Sequence, residues 1–310
     1  MKKIVAAVLI LTLLLGCACA EGLRVAALKG PTAMGMVKMM SDDAGSRYAF
    51  GIHAAADEIT PKLVKGELDM AAIPANLASV LYNNTQGEIR LLAVNTLGVL
   101  YIVEKGSAVQ SWEDLRGRTI YATGKGSTPE YTLRYLLQAH GLNPDQDVTL
   151  EWKSEPTEVV SLLQNAETGV AMLPQPYATV AQTSVEGLHT VLDLTAAWDE
   201  LDNGSALVTG VLVVRKDFAD VHPEAIRSFL KEYEASVSFV NTETAEAAQL
   251  IEKYGIVKAA VAQKALPYCN ITFVSGRDMQ PLVEGYLKVL YDQNPKAIGG
   301  ALPAASFYYE

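Results

Sequence analysis

Two short turns carry the residue types best suited to chemistry. Lys29-Gly30-Pro31-Thr32 and Lys125-Gly126-Ser127-Thr128 share the pattern Lys-Gly-x-Thr and lie 96 positions apart. Each follows a strand-like run and leads into a helical one. A helix start offers unpaired backbone N–H groups and about half a positive charge. Thr32 and Thr128 suit the N-cap of those helices, and their hydroxyls can also face a ligand. Two such turns facing each other would hold an anionic group or another strong hydrogen-bond acceptor. Lys29 and Lys125 can add charge or extend into solvent. Gly124-Lys125-Gly126-Ser127-Thr128 lacks the Gly-x-x-x-x-Gly-Lys-Ser/Thr spacing of a nucleotide-phosphate loop.

Other strand ends supply His53, Asn76, Asn95, Thr96, Ser154, Gln175 and Tyr177. These groups suit hydrogen bonding to a small polar ligand, or the stabilisation of their own turns. Of the four histidines, His140 and His222 adjoin Gly141 and Pro223, where loops are expected, and only His53 is placed at a cleft. HExxH, GxSxG and zinc-type Cys/His spacings are absent. No catalytic constellation is visible, so the reading is a non-enzyme without metal or cofactor. Cys269 is expected to be a buried structural thiol, since no positive or helix-start setting surrounds it.

The elements that position these residues come in a repeated order. Leu23 to Leu28 and Arg118 to Ala122 read as strands that run into the two turns. Helical patterns follow, through Met34, Val37, Met39 and Met40 in one case and from Pro129 to Leu137 in the other. Strands over Tyr48 to Ala54 and Val148 to Trp152 are each followed by a Pro-opened helix, at Pro61 and Pro156. Buried strands then end in Pro74 and Pro174. Strands alternating with helices imply two lobes, each a parallel sheet covered by helices. Val99 to Glu104 and Ala206 to Val214 read as strands crossing between them. Amphipathic helices from Pro223 to Tyr291 are expected to pack back on the first lobe. The expected division is 1–20 signal peptide, 21–103 with 206–310 as a discontinuous first lobe, and 104–205 as the second. Gly98 and Gly210, beside the crossings, serve either hinge freedom or close packing.

Composition agrees with this plan. Of 310 residues, 50% are hydrophobic and 19% charged, which excludes a disordered chain. Lys2 and Lys3 followed by the apolar run Ile4 to Leu15 form a secretory signal too short to span a bilayer. Leu14-Leu15-Gly16-Cys17 resembles a bacterial lipobox, with Cys17 as the lipidated residue and membrane anchor. Ala18-Cys19-Ala20 offers the alternative cut, giving a free secreted chain. Either cut removes Lys2 and Lys3 and no acid, so the net charge of −10 becomes −12. That surplus of acids argues against nucleic acid as a partner.

The chain resembles the periplasmic-type substrate-binding proteins of ABC importers, in the group related to nitrate, sulfonate and thiamine-pyrimidine-precursor binders. The residues that carry the resemblance are Leu28-Lys29-Gly30-Pro31-Thr32, Gly66-Glu67-Leu68-Asp69-Met70-Ala71 with Pro74 and Asn76, Asp114-Leu115-Arg116-Gly117, and Gly124 to Glu130. The resemblance implies an α/β, two-lobed type II binding-protein fold with two hinge-crossing strands. It implies a monomer that closes on a small-molecule solute and docks on a membrane permease. It makes Thr32, Asn76, Ser127 and Thr128 the leading contact residues. No Arg stands at an expected strand end, which argues against nitrate and sulfonate. A neutral or zwitterionic ligand with an aromatic part stays open, with Trp152 and Tyr177 as candidate stacking walls. The other readings are an enzyme on the same fold, acting in menaquinone- or pyrimidine-precursor synthesis, and a ligand-sensing module for a membrane receptor.

Overall fold

The computed structural model describes residues 22–309. The signal run and Cys17 lie outside the described residues. The strands are β1 (Leu23–Leu28), β2 (Tyr48–His53), β3 (Met70–Pro74), β4 (Ile89–Thr96), β5 (Leu100–Lys105), β6 (Thr119–Thr123), β7 (Thr149–Lys153), β8 (Gly169–Pro174), β9 (Leu188–Asp193), β10 (Gly210–Arg215) and β11 (Ile271–Ser275). They form two sheets, of order β11-β4-β10-β3-β1-β2 and β7-β6-β8-β5-β9. Apart from β11 the two orders are equivalent, so the sequence repeat is a repeat of topology. Every residue of β3 is buried, which is why Met70-Ala71-Ala72-Ile73-Pro74 reads as an unbroken apolar run. The edge strand β7 is partly exposed along its length, and its sequence Thr-Leu-Glu-Trp-Lys is mixed accordingly.

The sheets are mixed rather than parallel. β1 pairs parallel with β2 and β3, and β6 pairs parallel with β7 and β8. β10 is antiparallel to β3 and β4, and β5 is antiparallel to β8 and β9. The cause is topological. The chain leaves each sheet at the end where its parallel strands finish. It enters the other sheet from that same end, and so must run against the strands already there.

Helices cover both sheets. Proline opens Pro31–Met34, Pro156–Asn165 and Pro223–Thr242, and follows the first residue of Thr128–Ala139. The helix Pro223–Thr242 binds the first sheet's layer directly: Ser236 Oγ donates to Gly35 O at 2.7 Å and accepts from Met39 N at 3.2 Å. Cys269 is fully buried, with its Sγ 4.0 Å from Met34 Sδ, and burial pushes its thiol pKa up. Both observations fit a structural thiol. The apolar core runs without a break from one sheet to the other. At its centre Trp198 is fully buried, with Tyr135 at 4.9 Å and Tyr286 at 5.6 Å between ring centroids. Among the described residues no helix is long and apolar enough to cross a membrane.

The glycines at the crossings are there for close approach. A Cβ on Gly98 would stand 2.1 Å from Thr195 Oγ1 and 2.9 Å from its Cβ and Cγ2. A Cβ on Gly210 would stand 2.7 Å from Asn95 Oδ1 and 2.8 Å from Thr32 Cγ2. Neither glycine has a positive φ. Gly98→Ala is therefore expected to lower stability by about 1–3 kcal/mol through overpacking. Thr195→Ala in the same chain should recover part of that loss, as read from urea unfolding midpoints. An unchanged midpoint for Gly98→Ala would show instead that the glycine serves flexibility.

Candidate functional site

Between the two sheets lies a cavity of about 750 Å³. Its walls come from matched places in the two repeats. The turn after β1 contributes Lys29, Gly30, Pro31 and Thr32, and the turn after β6 contributes Gly124, Lys125, Gly126 and Ser127. The segments after β2 and β7 give Ala54 to Asp57 and Ser154 to Thr157. The ends of β3 and β8 give Pro74 and Pro174, followed by Leu77 on one side and Gln175 and Tyr177 on the other. Thr96, Val99, Leu100 and Thr209 complete it at the crossings. Ligands in open α/β sheets bind outside the carboxyl ends of the strands, and here two such rims face each other.

Ten of the residues expected at the site line this cavity: Lys29, Gly30, Pro31, Thr32, Thr96, Gly126, Ser127, Ser154, Gln175 and Tyr177. Four do not. His53 Nδ1 lies 3.1 Å from Glu58 Oε2, which holds the ring at the end of its own strand. Asn95 is fully buried behind Thr96, whose hydroxyl donates to its Oδ1 at 3.1 Å. Asn76 and Thr128 are fully buried against each other. Thr128 Oγ1 donates to Asn76 Oδ1 at 3.3 Å, and Asn76 Nδ2 donates to Ala297 O at 3.0 Å and to Gly126 O at 3.4 Å. These two residues tie the repeats together at the back of the cleft. Trp152, expected as a stacking wall, packs on the apolar core instead.

The two threonines do not cap their helices. Gly30 is the N-cap of the single-turn helix Pro31–Met34, and Thr32 Oγ1 donates to Leu28 O at 2.7 Å. The helical pattern expected through Met40 is interrupted at Gly35 and Met36 and resumes as Val37–Asp43. In the second turn Ser127 occupies the N-cap position, yet its hydroxyl donates to Gly124 O at 2.8 Å. The N–H of Gly126 donates to Glu130 Oε2 at 2.7 Å, and Glu130 also pairs with Arg134 at 3.0 Å. A carboxylate of the chain thus takes the place at this helix start that an anionic ligand group was expected to fill.

Gln175 Oε1 accepts from Thr179 N and Oγ1 at 3.3 and 2.9 Å, which starts the helix Tyr177–Ser184. The peptide bond between Gln175 and Pro176 is cis. Tyr177 is 6% exposed, and burial, with the charge of Glu155, pushes its phenol pKa up to about 12. It stays neutral and can donate. Thr209 was missed from sequence because it lies inside an apolar run read wholly as strand. Its Oγ1 is buried and has no hydrogen-bond partner among the described residues. The only signal was its place just before Gly210, at a crossing.

The Asn76–Thr128 tie yields a measurable expectation. Asn76→Ala leaves the Thr128 hydroxyl and the Ala297 carbonyl without their partner in a fully buried site. It should cost about 1–3 kcal/mol of unfolding free energy, and Thr128→Val less, about 0.5–1.5 kcal/mol. The double variant should lose less than the sum, in a urea-unfolding double-mutant cycle. Strict additivity would show that the two side chains do not interact.

Comparison with known proteins places the chain. A structure from Parabacteroides distasonis described as an ABC transporter aligns with a TM-score of 0.77 and 22% identity, covering 94% of this chain and 99% of that one. The periplasmic aliphatic sulphonate binding protein SsuA of Escherichia coli aligns at 0.72 and 16% identity, over 94% and 92%. The periplasmic nitrate-binding protein NrtA of Synechocystis PCC 6803 aligns at 0.62 and 14% identity, over 84% and 74%. At these identities the likeness shows the fold: two-lobed, α/β, of the periplasmic-binding-protein type. The chain has no match among curated proteins. The model of the NMT1-like family matches residues 31–253, which include the second turn, the last two residues of the first and both crossings, and the chain belongs to that family.

Proposed function

We propose that this chain is the extracytoplasmic solute-binding component of an ABC importer. It captures a small organic solute between its lobes and delivers it to a membrane permease, with no chemical step. The observation that carries this reading is the cavity of about 750 Å³ walled by equivalent loops of two topologically matched sheets. Its size suits a small molecule, and its lining is mainly apolar, with a few placed polar groups. The structural neighbours described as sulphonate- and nitrate-binding proteins support the class of function. Because β5 pairs with β8 and β9, the expected division at 103 and 205 is moved to near Gly98 and Val208, and the two lobes move as a monomer about the crossings. Thr32, Ser127, Gln175, Tyr177 and Thr209 contact the solute, and Cys17 carries the lipid that holds the protein at the membrane.

Native mass spectrometry of the protein as purified, and after incubation with a metabolite extract, should reveal a bound small molecule that is released on unfolding. Thr209→Tyr, which fills the floor of the cavity, should abolish the adduct while leaving the chain folded. Failure to find any adduct, or turnover of the bound compound, would rule out simple capture. For the anchor, Cys17→Ser should move the protein from the membrane fraction to the soluble one. Retention of that variant in the membrane fraction would exclude lipidation at Cys17.

A further inference from the structure

The first crossing is gripped from both lobes at one residue. Gly98 O accepts from the side-chain amide of Asn270, and Leu97 N donates to Asn270 O at 3.1 Å. On its other side Thr195 stands so close that a Cβ on Gly98 would meet its Oγ1 at 2.1 Å. Asn270 belongs to the first lobe. Cys269 before it is buried in that lobe's core, and Ile271 after it pairs with Thr96 of β4. Thr195 belongs to the second lobe, in the helix Leu194–Glu200 that follows β9. Tyr268 O, just upstream of Asn270, accepts from the Tyr101 hydroxyl at 3.3 Å. Tyr101 stands in β5 and shares the second lobe's apolar cluster with Tyr177 and Ala178. The three residues Tyr268 to Asn270 therefore reach the chain before, at and beyond its first crossing.

The local backbone suits this grip. Asn270 has a φ of +42°, in the left-handed region that Asn tolerates better than most residues. In that conformation one residue offers its carbonyl and its side-chain amide to successive residues of the crossing. The helix Ala259–Ala265, shortly upstream, packs on the second lobe's helix Tyr177–Ser184, whose first residue lines the cavity. The second crossing is bonded main chain to main chain, Thr209 N to Thr96 O and Ala75 N to Thr209 O. Tyr101, Tyr268 and Asn270 stand outside the cavity lining.

We propose that Tyr268 to Asn270 form a clamp on the hinge. It holds the lobes at the angle seen here and sets how much of the protein stands at any other angle. The proposal rests on the reading above that the lobes move about the crossings. A rotation at Gly98 turns its carbonyl away from the Asn270 amide, and a swing of β5 draws the Tyr101 hydroxyl off Tyr268 O. Each bond lost in this way biases the balance between lobe angles about two- to tenfold. Apparent affinity scales with the fraction of protein at the binding-competent angle, so the clamp acts on capture without touching the solute.

The test is a spin-label distance distribution on the full chain without added solute. Labels go on Lys65→Cys and Gln164→Cys, two exposed positions at the matched helices Thr60–Val64 and Pro156–Asn165. Cys17 and Cys19 are replaced by serine, and Cys269 is buried away from the reagent. The reference chain should give one narrow distance. Asn270→Gly keeps the left-handed backbone and removes the amide, and Tyr101→Phe removes one hydroxyl. Each should raise the population at other distances about two- to tenfold, and the double variant should raise it further. If Asn270→Gly does not fold, as read from circular dichroism, Tyr101→Phe decides alone. A broad reference distribution that neither variant alters overturns the clamp and leaves lobe motion standing. A narrow distribution in the reference and in every variant overturns the clamp and lobe motion together.

Discussion

Two stretches of backbone carry this chain between its sheets, and their peptide groups must be hydrogen bonded where neither sheet is complete. An unpaired buried N–H or C=O costs about as much as a lost hydrogen bond. The chain meets this constraint by continuing the ladders through the crossings. Thr209 N donates to Thr96 O at 3.0 Å, and Thr209 O accepts from Ala75 N at 3.1 Å. Gln175 N donates to Val99 O at 2.9 Å, and Leu97 N to Asn270 O at 3.1 Å. Because these bonds hold strand ends, helix starts and crossings to one another, the loops of both repeats converge on one place. Close packing follows from the same constraint, since the strands can approach only where Gly98 and Gly210 have no side chain.

The cavity is a product of that convergence. Strands that run out toward the other lobe leave their carboxyl ends, with the turns that follow them, on facing rims. The crossing strands enter antiparallel and close the floor. Behind the floor, the Asn76–Thr128 pair and the tilted ring cluster of Tyr135, Trp198 and Tyr286 join the halves through polar and apolar contacts. The apolar core is therefore shared, and stability and cleft geometry depend on the same residues.

Much of this was legible in the residues. The order of strand, turn, Pro-opened helix and strand ending in proline appeared twice, and it corresponds to matched sheets. Turn positions such as Lys29 to Thr32 and Gly126 to Ser127 were found because they follow strands. The direction of β5 and β10 was hidden, since a buried apolar run has the same composition whichever way it is paired. Strand β11, Ile-Thr-Phe-Val-Ser, was missed because it is short and flanked by helical patterns. The fates of Asn76 and Thr128 were hidden for another reason. Their partners are each other and Ala297, far apart in sequence, and residue type alone does not separate a ligand contact from a buried tie. Glu130 stands in the first turn of its helix, where an acid is favourable. That it folds back on Gly126 and occupies the turn depends on a rotamer.

The backbone carbonyls of Leu28 and Gly124 have a further consequence. They hold the Thr32 and Ser127 hydroxyls in one rotation before any solute arrives. A solute entering the cleft meets rotors already stopped by the fold. It neither orders these groups nor displaces an internal bond of its host to reach them. The entropic cost of arranging this part of the wall falls on folding and not on association, so the affinity of the cleft depends mainly on how well a guest exchanges its hydration shell for what is already in place.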